Sequence, residues 1–161
     1  MSGWIALGAL ALVFVAGPVA DLAFDLRRIL DGGWPKALGL AVSVAGLAAL
    51  LWSQSSMGEN LRIGVDPAER TDLVTGGPFR WVRNPIYSAM LVYGVGVVVL
   101  VPNVVSLAAF AVLALGLDLH VRLVEEPYLR AAHGRSYANY AARVGRFIPG
   151  IGKVSLEADS R

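Results

Sequence analysis

The chain has 161 residues, of which 56% are hydrophobic and 16% charged, and its mean hydropathy is +0.60. These values differ from those of ordinary soluble domains and indicate an integral membrane protein of one domain. A net charge of only +2 excludes a broad basic surface for nucleic acid. The absence of cysteine excludes disulfides, thiolate catalysis and cysteine-ligated metals, and two scattered histidines do not predict a metal site.

Four apolar runs approach the length of about 20 residues that a helix needs to cross a bilayer. They lie at about 4–20, 37–52, 86–101 and 104–121. A signal peptide is the alternative for the first run, but no Lys or Arg precedes it. The pattern predicts an all-α integral membrane protein with about four transmembrane helices and a cytosolic C-terminal helical segment, in a single domain over 1–161.

The segments that connect these runs have distinct compositions. Residues 53–72 are polar without clear periodicity and are predicted to form a loop, with at most a short interfacial helix. Pro102 and Asn103 predict a tight turn, which makes an antiparallel hairpin of the third and fourth spans. The pattern over 129–144 is that of a soluble, amphipathic helix, and Pro149 ends it.

Lysine and arginine are distributed unevenly between the predicted loops. The side that holds 53–85 and the C-terminal region has eleven, whereas the other side has Arg27, Arg28 and Lys36. Because cytoplasmic loops are enriched in Lys and Arg, we expect the larger group, and any site that it forms, to face the cytoplasm. The bias toward Ala, Gly, Val and Arg is typical of a GC-rich prokaryotic gene, which indicates a prokaryotic inner or plasma membrane.

The segment Leu73–Tyr87, with the sequence LVTGGPFRWVRNPIY, is too polar and too rich in Gly and Pro for a membrane helix. Its position between two apolar halves predicts that it binds something polar at the interface. Gly76 and Gly77 would let backbone amides approach a ligand closely, although they would serve equally well in a simple turn.

A second polar group of residues lies where the fourth span ends. Asp118, Arg122 and Glu126 are spaced four apart, which places them on one helix face, and Glu125 lies beside them. Ionisable groups at this depth usually mark a site or a water-filled cavity. A solvated helix face is the alternative interpretation.

These two blocks carry a resemblance to a known family. LVTGGPFRWVRNPIY, a two-helix hairpin and EEPYLRAAHGRSYANYAARVGRFIP, in this order, resemble the isoprenylcysteine carboxyl methyltransferase family and related membrane methyltransferases of phospholipids and small thiols. The resemblance covers about half of the chain, from Leu73 to Pro149. It implies an enzyme that binds S-adenosylmethionine on the cytosolic side without a Rossmann fold, and that has the lipid bilayer and a hydrophobic or small-molecule methyl acceptor as partners.

The resemblance also implies roles for individual residues. Arg122 stands at the position of an arginine that meets the acceptor, and it is expected to be catalytic together with Glu126. The residues expected to bind the cofactor come from the segments 73–87 and 122–149: Leu73, Val74, Gly77, Phe79, Arg83, Asn84, Pro85, Tyr87, Glu125, Glu126 and Tyr137. No metal ligand is expected.

Three positions depart from the family pattern. Phe79 keeps the ring of the usual tyrosine but loses its hydroxyl. Asn84 replaces a histidine, so it can hydrogen-bond but cannot carry a proton at neutral pH. Gly145 follows Val144 where the family has proline. The first two changes favour the alternative of a non-enzymatic membrane scaffold or accessory protein. A small transporter is a weaker alternative, because the second and third spans contain no charged residue.

The chemical class of the methyl acceptor decides which residues would take part in the reaction. A carboxylate is already ionised and needs no base, and Arg122 would pair with it. A thiol or an amine needs deprotonation, for which Glu126 or Glu125 would be the base. The sequence leaves lipidic and small carboxylates, thiols and amines open.

Overall fold

The structure, a computed structural model, describes residues 15, 18–24, 29, 32–57 and 73–154. All regular secondary structure in this part of the chain is helical, apart from one isolated bridge. This agrees with the predicted all-α class. Most of the predicted first span and most of the predicted loop 53–72 lie outside the described residues.

The described fold contains a helical stretch at residues 18–24, four α-helices with defined bounds, a 3₁₀ turn and a π turn. The helices are α1 (Gly33–Ser55), α2 (Pro85–Leu100), α3 (Val104–His120) and α4 (Glu126–Arg143); the 3₁₀ turn is Gly77–Arg80 and the π turn is Val121–Glu125. Helix α1 extends beyond 37–52 at both ends, so Ser53 to Ser55 are helical where a loop is predicted.

Two helical stretches of the described chain are long and apolar enough to cross a membrane, namely α1 and the continuous run Val104–Arg143. Only 22% of the apolar window of each is buried within the protein. Exposure of so much apolar surface to water would cost about 25 cal/mol for each Å², which favours a lipid environment. Helix α2 is apolar but has only 16 residues, and the number of spans stays a prediction.

The described residues within 1–48 and 89–117 form one compact unit, the helical unit. Its helices α1 and α2 approach at backbone distance. A Cβ atom on Gly39 would lie 2.5 Å from the Leu100 nitrogen, and one on Gly46 would lie 2.5 Å from the Tyr93 nitrogen. Glycine is therefore needed at both positions, as is common where membrane helices pack closely.

The turn between α2 and α3 is formed by Pro102 and Asn103, as the sequence predicts. Asn103 is fully buried, and its side-chain oxygen accepts a hydrogen bond of 2.8 Å from the Ser106 backbone N–H. This caps the start of α3, where the first N–H groups lack helical partners.

The described residues within 49–88 and 118–161 form the second compact unit, the polar unit. Its core contains Tyr137, Tyr140 and Ala141, against which partly buried apolar residues pack: Leu73, Leu129, Val144 and Val154.

The chain beyond α4 returns to the segment before α2 and pairs with it. Val82 and Gly145 form a parallel bridge, and the Arg83 backbone N–H donates to the Gly145 carbonyl at 2.8 Å. A Cβ on Gly145 would collide with the carbonyl oxygens of Ile148 and Ile151. Glycine at position 145, where the family has proline, therefore lets the backbone turn back tightly.

Helix α4 is kinked at Gly134, whereas the sequence pattern predicts one continuous amphipathic helix over 129–144. Gly134 has φ 50° and ψ −124°, a combination that is essentially restricted to glycine. A Cβ there would meet nothing within 4 Å, so the backbone conformation and not crowding requires glycine. Beyond the kink, Tyr137 and Tyr140 are 1% and 5% exposed.

Candidate functional site

A cavity of about 220 Å³ lies within the polar unit. Its wall combines residues before and at the start of α2 with one face of the π turn and α4. The lining residues are Met57, Leu73, Val74, Phe79, Arg83, Asn84, Pro85, Ile86, Tyr87, Glu125, Leu129, His133, Tyr137 and Tyr140.

The helical side of this cavity follows a simple spacing. Glu125, Leu129, His133 and Tyr137 are each four residues apart, and all line the cavity. Residues four apart share a helix face, which places Glu125, Leu129 and His133 on one face before the kink at Gly134. The π turn ends at Glu125, and π turns frequently occur at functional sites.

Glu125 is the acidic residue of the cavity wall, and it hydrogen-bonds with the Tyr87 hydroxyl. Its Oε2 atom is buried without a hydrogen-bond partner. Burial and, secondarily, the negative charge of Glu126 raise the pKa of Glu125 to about 7, although the hydrogen bond from Tyr87 acts in the opposite direction. A buried carboxylate oxygen without a partner is costly, and it is well suited to receive a hydrogen bond or a positive charge from a ligand.

Arg83 holds the returning chain in place. Its Nη1 donates to the Ala141 and Val144 carbonyls at 2.7 and 3.2 Å, and its Nη2 donates to the Gly152 carbonyl at 2.9 Å and to Glu126 Oε1 at 2.8 Å. The whole residue is only 5% exposed. Arg83 thus lines the cavity while most of its hydrogen bonds serve the fold.

Glu126 is paired with two arginines, and we name Arg83, Glu126 and Arg146 the arginine–glutamate cluster. Arg146 approaches Glu126 with two bonds, Nε to Oε1 at 2.7 Å and Nη2 to Oε2 at 3.1 Å. Burial alone would disfavour the charged carboxylate, but the hydrogen bond from Arg146 and the charges of Arg83 and Arg146 hold the pKa of Glu126 below its usual value. Both oxygens are occupied, and Glu126 is not among the lining residues.

Arg122 lies outside the cavity wall as well. Its Nε is 2.7 Å from Asp118 Oδ2, one helical turn away, and its side chain is 55% exposed. Asp118 also lies 3.6 Å from Nη1 of Arg146. The predicted acid–base–acid stripe therefore exists as linked ion pairs, with its exposed end at Arg122.

Two tyrosines complete the wall. The Tyr140 hydroxyl donates to the Phe79 carbonyl at 2.6 Å, so its polar end is engaged within the protein. Burial raises the pKa of Tyr137 to about 12, and the charge of Glu126 adds to this effect. The Tyr137 hydroxyl therefore remains protonated and able to donate at neutral pH.

The structure brings together most of the predicted binding residues. Both predicted segments contribute to the cavity wall: Leu73, Val74, Phe79, Arg83, Asn84, Pro85 and Tyr87 from the first, and Glu125 and Tyr137 from the second. Gly77, Glu126 and Arg122 are not part of this wall. Gly77 has a φ of 56° and lies near Ser56, so its conformation serves the turn before α2.

Sequence reasoning missed several residues of the site. Leu129 and His133 line the cavity, and their spacing from Glu125 would have indicated this. Met57 and Ile86 also line it. Arg146 was missed because its role depends on the return of the chain after α4, for which the sequence contains no local signal.

Comparisons with known proteins agree with this architecture. The family model described as "Phospholipid methyltransferase" matches residues 34–136. Protein-S-isoprenylcysteine O-methyltransferase B of Arabidopsis thaliana is 32% identical over 142 residues, which are 86% of this chain and 71% of that protein. The A protein of the same plant is 31% identical over 120 residues, which are 72% of this chain and 60% of that protein.

A solved structure with a similar fold is that of the eukaryotic intramembrane Ras methyltransferase ICMT, an isoprenylcysteine carboxyl methyltransferase. The TM-score is 0.69 at 24% sequence identity, and the match covers 91% of this chain. The chain spans only 53% of the length of that protein. The family match and the sequence relatives show that the chain belongs to the isoprenylcysteine carboxyl methyltransferase family, and the shared fold agrees with this.

Proposed function

We propose that this chain transfers a methyl group from S-adenosylmethionine to an acceptor with a hydrophobic tail, at the cytosolic face of a membrane. The observation that carries the proposal is the cavity of the polar unit, in which the two sequence blocks meet around an unpartnered oxygen of Glu125. The uneven distribution of Lys and Arg supports the cytosolic orientation.

The residues of the cavity suit this donor. When bound, S-adenosylmethionine supplies a methyl group that is activated by a positively charged sulfur. Glu125 offers a carboxylate for the cationic part, and the rings of Phe79, Tyr137 and Tyr140 offer apolar surfaces for the base. The described residues enclose about 220 Å³, below the roughly 300–1,000 Å³ of typical ligand pockets, so they bound part of such a molecule.

The main contribution of the protein is alignment of donor and acceptor, which is worth about 7–11 kcal/mol in well-oriented systems. The arginine–glutamate cluster fixes the returning chain against the segment before α2. Tyr87 orients the Glu125 carboxyl through its hydrogen bond. These contacts hold the wall in place before a ligand arrives.

A carboxylate is the acceptor class that the residues favour. The relatives are named as O-methyltransferases of isoprenylcysteine, and a carboxylate needs no base. Arg122 is exposed, and its terminal nitrogens can pair with an acceptor while Nε remains bound to Asp118. Glu126 is a poor base for a thiol or an amine, because its lowered pKa and two arginine partners keep it ionised and occupied.

The test is methyl transfer by the purified protein in lipid nanodiscs with labelled donor. N-acetyl-S-farnesylcysteine supplies a carboxylate, phosphatidylethanolamine an amine, and a long-chain thiol the third class. We expect base-labile methyl ester only with the first acceptor. Arg122→Ala should lower kcat/KM about 10- to 100-fold, the value of a charge-assisted hydrogen bond, without weakening donor binding.

Arg135→Ala is the matched control, because Arg135 is an exposed residue of α4 outside the cavity wall. Its kinetics should equal those of the wild type. Failure of the wild-type protein to bind the donor would refute the proposed function. Methylation of the amine or the thiol in preference to the carboxylate would refute the acceptor class alone.

A further inference from the structure

One stretch of the polar unit exposes apolar side chains without a polar neighbour in sequence. Residues 148–151, with the sequence IPGI, are all exposed, and Ile148 and Ile151 are 56% and 62% exposed. Exposed loops are ordinarily polar, and a run of four exposed residues without a polar side chain indicates a function. We name residues 147–153 the return loop, because they follow the point where the chain returns to the segment before α2.

The return loop is held in one shape by hydrogen bonds within the polar unit. The Ile151 backbone N–H donates to the Ile148 carbonyl at 3.0 Å, and the Arg146 backbone N–H donates to the Ile151 carbonyl at 2.8 Å. The Arg83 guanidinium donates to the Gly152 carbonyl at 2.9 Å. The two isoleucines therefore belong to a preformed turn, so that little ordering is needed when another surface covers them.

The return loop lies beside the first turn of α2. The hydroxyl of Ser88, in that turn, donates to the Phe147 carbonyl at 2.7 Å. Helix α2 contains no charged residue. With α2 as a span, as the sequence predicts, its first turn lies at the edge of the hydrocarbon, and so does the return loop.

Two exposed tryptophans of the polar unit lie near the same helix ends. Trp81 lies four residues before the start of α2, Trp52 lies three residues before the end of α1, and each is 55% exposed. Tryptophan is enriched at the interface between membrane and water. The exposed apolar side chains of this region thus fit the boundary of a bilayer better than they fit water.

The segments that pair at the bridge of Val82 and Gly145 have basic residues and no acidic ones. Residues 73–84 and 141–154 contain no Asp or Glu, whereas Arg80, Arg143 and Lys153 are exposed. The Arg80 guanidinium lies 5.0 Å from the centroid of the Trp81 ring. Exposed apolar side chains combined with cations are typical of a segment that lies in the interface of a membrane, and such cations attract anionic lipids.

We propose that the return loop is an interfacial membrane anchor. Ile148 and Ile151 insert at the edge of the hydrocarbon, and the exposed cations of the paired segments bind anionic lipid headgroups. The loop follows Arg146 directly, and Arg146 holds Glu126, so the anchor fastens the arginine–glutamate cluster to the membrane surface. The inference uses neither the methyl donor nor the acceptor, and its outcome is independent of the proposed function.

The chain contains no cysteine, so a single introduced cysteine can be labelled specifically. Ile148→Cys and Ile151→Cys each carry a nitroxide spin label, in the full chain reconstituted into vesicles of phosphatidylcholine and phosphatidylglycerol. Oxygen concentrates in lipid and a nickel chelate stays in water. We expect both labels to collide more often with oxygen than with the chelate. Arg135→Cys is the matched control, because Arg135 is an exposed residue of α4 without apolar neighbours in sequence, and its label should show the reverse.

A fluorescent label on Ile151→Cys tests the choice of headgroup. Brominated phosphatidylglycerol and brominated phosphatidylcholine quench the label on contact, so the ratio of quenching at equal amounts measures the local enrichment of the anionic lipid. In this protein Lys153→Gln should lower the ratio by up to about fivefold, the value of one basic residue near an anionic surface. Arg135→Gln should leave the ratio unchanged.

Three outcomes count against the proposal. Labels at 148 and 151 with the accessibility of the Arg135→Cys label would place the return loop in water and refute the anchor. Low accessibility to both reagents would mean that protein, such as a second copy of this chain, covers the loop, which refutes the anchor as well. Equal quenching by the two lipids, unchanged by Lys153→Gln, would refute the selection of anionic headgroups.

Discussion

Different interactions stabilise the interior of each of the two compact units of the chain. In the helical unit, Gly39 and Gly46 let α1 and α2 approach until backbone meets backbone, and many of the large apolar side chains are exposed. In the polar unit, a buried carboxylate between two guanidinium groups connects segments that are distant in sequence. Shape determines the first kind of contact and charge the second.

The comparison shows where each kind of mutation should matter. A helix contact that depends on the absence of a side chain is sensitive to one added methyl group. A contact that depends on buried charges is sensitive to removal of a single partner, because the others are then left unpaired. Two predictions on stability test this difference, and a third tests the charge of the cavity wall in the polar unit; they follow in order of decreasing expected effect.

The largest effect is expected from Glu126→Ala in the polar unit. The side chains of Arg83 and Glu126 are 1% and 9% exposed, and removal of the carboxylate leaves Arg83 without its counter-charge and Arg146 with only Asp118, at 3.6 Å. Breaking a buried pair in this way costs about 3–5 kcal/mol, measured as the free energy of unfolding by denaturant titration in detergent micelles. Arg122→Ala is the control, since its pair with Asp118 is 55% and 32% exposed and should be worth about 0–1 kcal/mol. Equal losses in the two variants would mean that the cluster is not a source of stability.

A smaller effect is expected from Gly46→Ala in the helical unit. The new Cβ would lie 2.5 Å from the Tyr93 nitrogen, and backbone atoms cannot rotate away. Overpacking of this kind costs about 1–3 kcal/mol, which should appear in the same titration.

Gly116→Ala supplies the matched control within the same unit. A Cβ on Gly116 in α3 would meet nothing within 4 Å, so alanine should stabilise the helix by about 0.5–1 kcal/mol. If both variants have the stability of the wild type, the close approach of α1 and α2 is not what holds the helical unit together.

The helical unit is also the part that was easiest to predict from the sequence. Apolar runs of this length predict helices directly, and the observed α2 differs by one residue at each end from the predicted 86–101. The turn at Pro102 and Asn103 was predictable because proline and a short polar residue separate two such runs. By contrast, nothing in the local pattern predicts the kink at Gly134, since a glycine within a helix fits several conformations.

In the polar unit the sequence located the two segments of the site but not the division of roles within them. Glu125 and Glu126 are adjacent, so their side chains point about 100° apart on a helix, and a π turn adds a residue that shifts this register. The structure places Glu125 in the cavity wall and Glu126 in the arginine–glutamate cluster. Glu126 is held in this cluster in part by Arg146, which reaches it only through the folded return of the chain.

This division of roles gives the third prediction, on the pH dependence of donor binding. The pKa of Glu125 is raised from 4.5 to about 7, so its ionised fraction falls from about nine tenths at pH 8 to about one tenth at pH 6. If the cationic end of the donor needs the ionised carboxylate, the affinity should fall up to about tenfold as the pH is lowered through 7. Isothermal titration at pH 6, 7 and 8 measures this change.

Glu125→Gln should bind more weakly and lose this part of the pH dependence, whereas any titration of the donor itself is common to both proteins and cancels in their ratio. Because Glu126 has a lowered pKa and remains ionised over this range, a pH profile that is the same in wild type and Glu125→Gln would contradict the assignment of Glu125 as the acid that meets the donor.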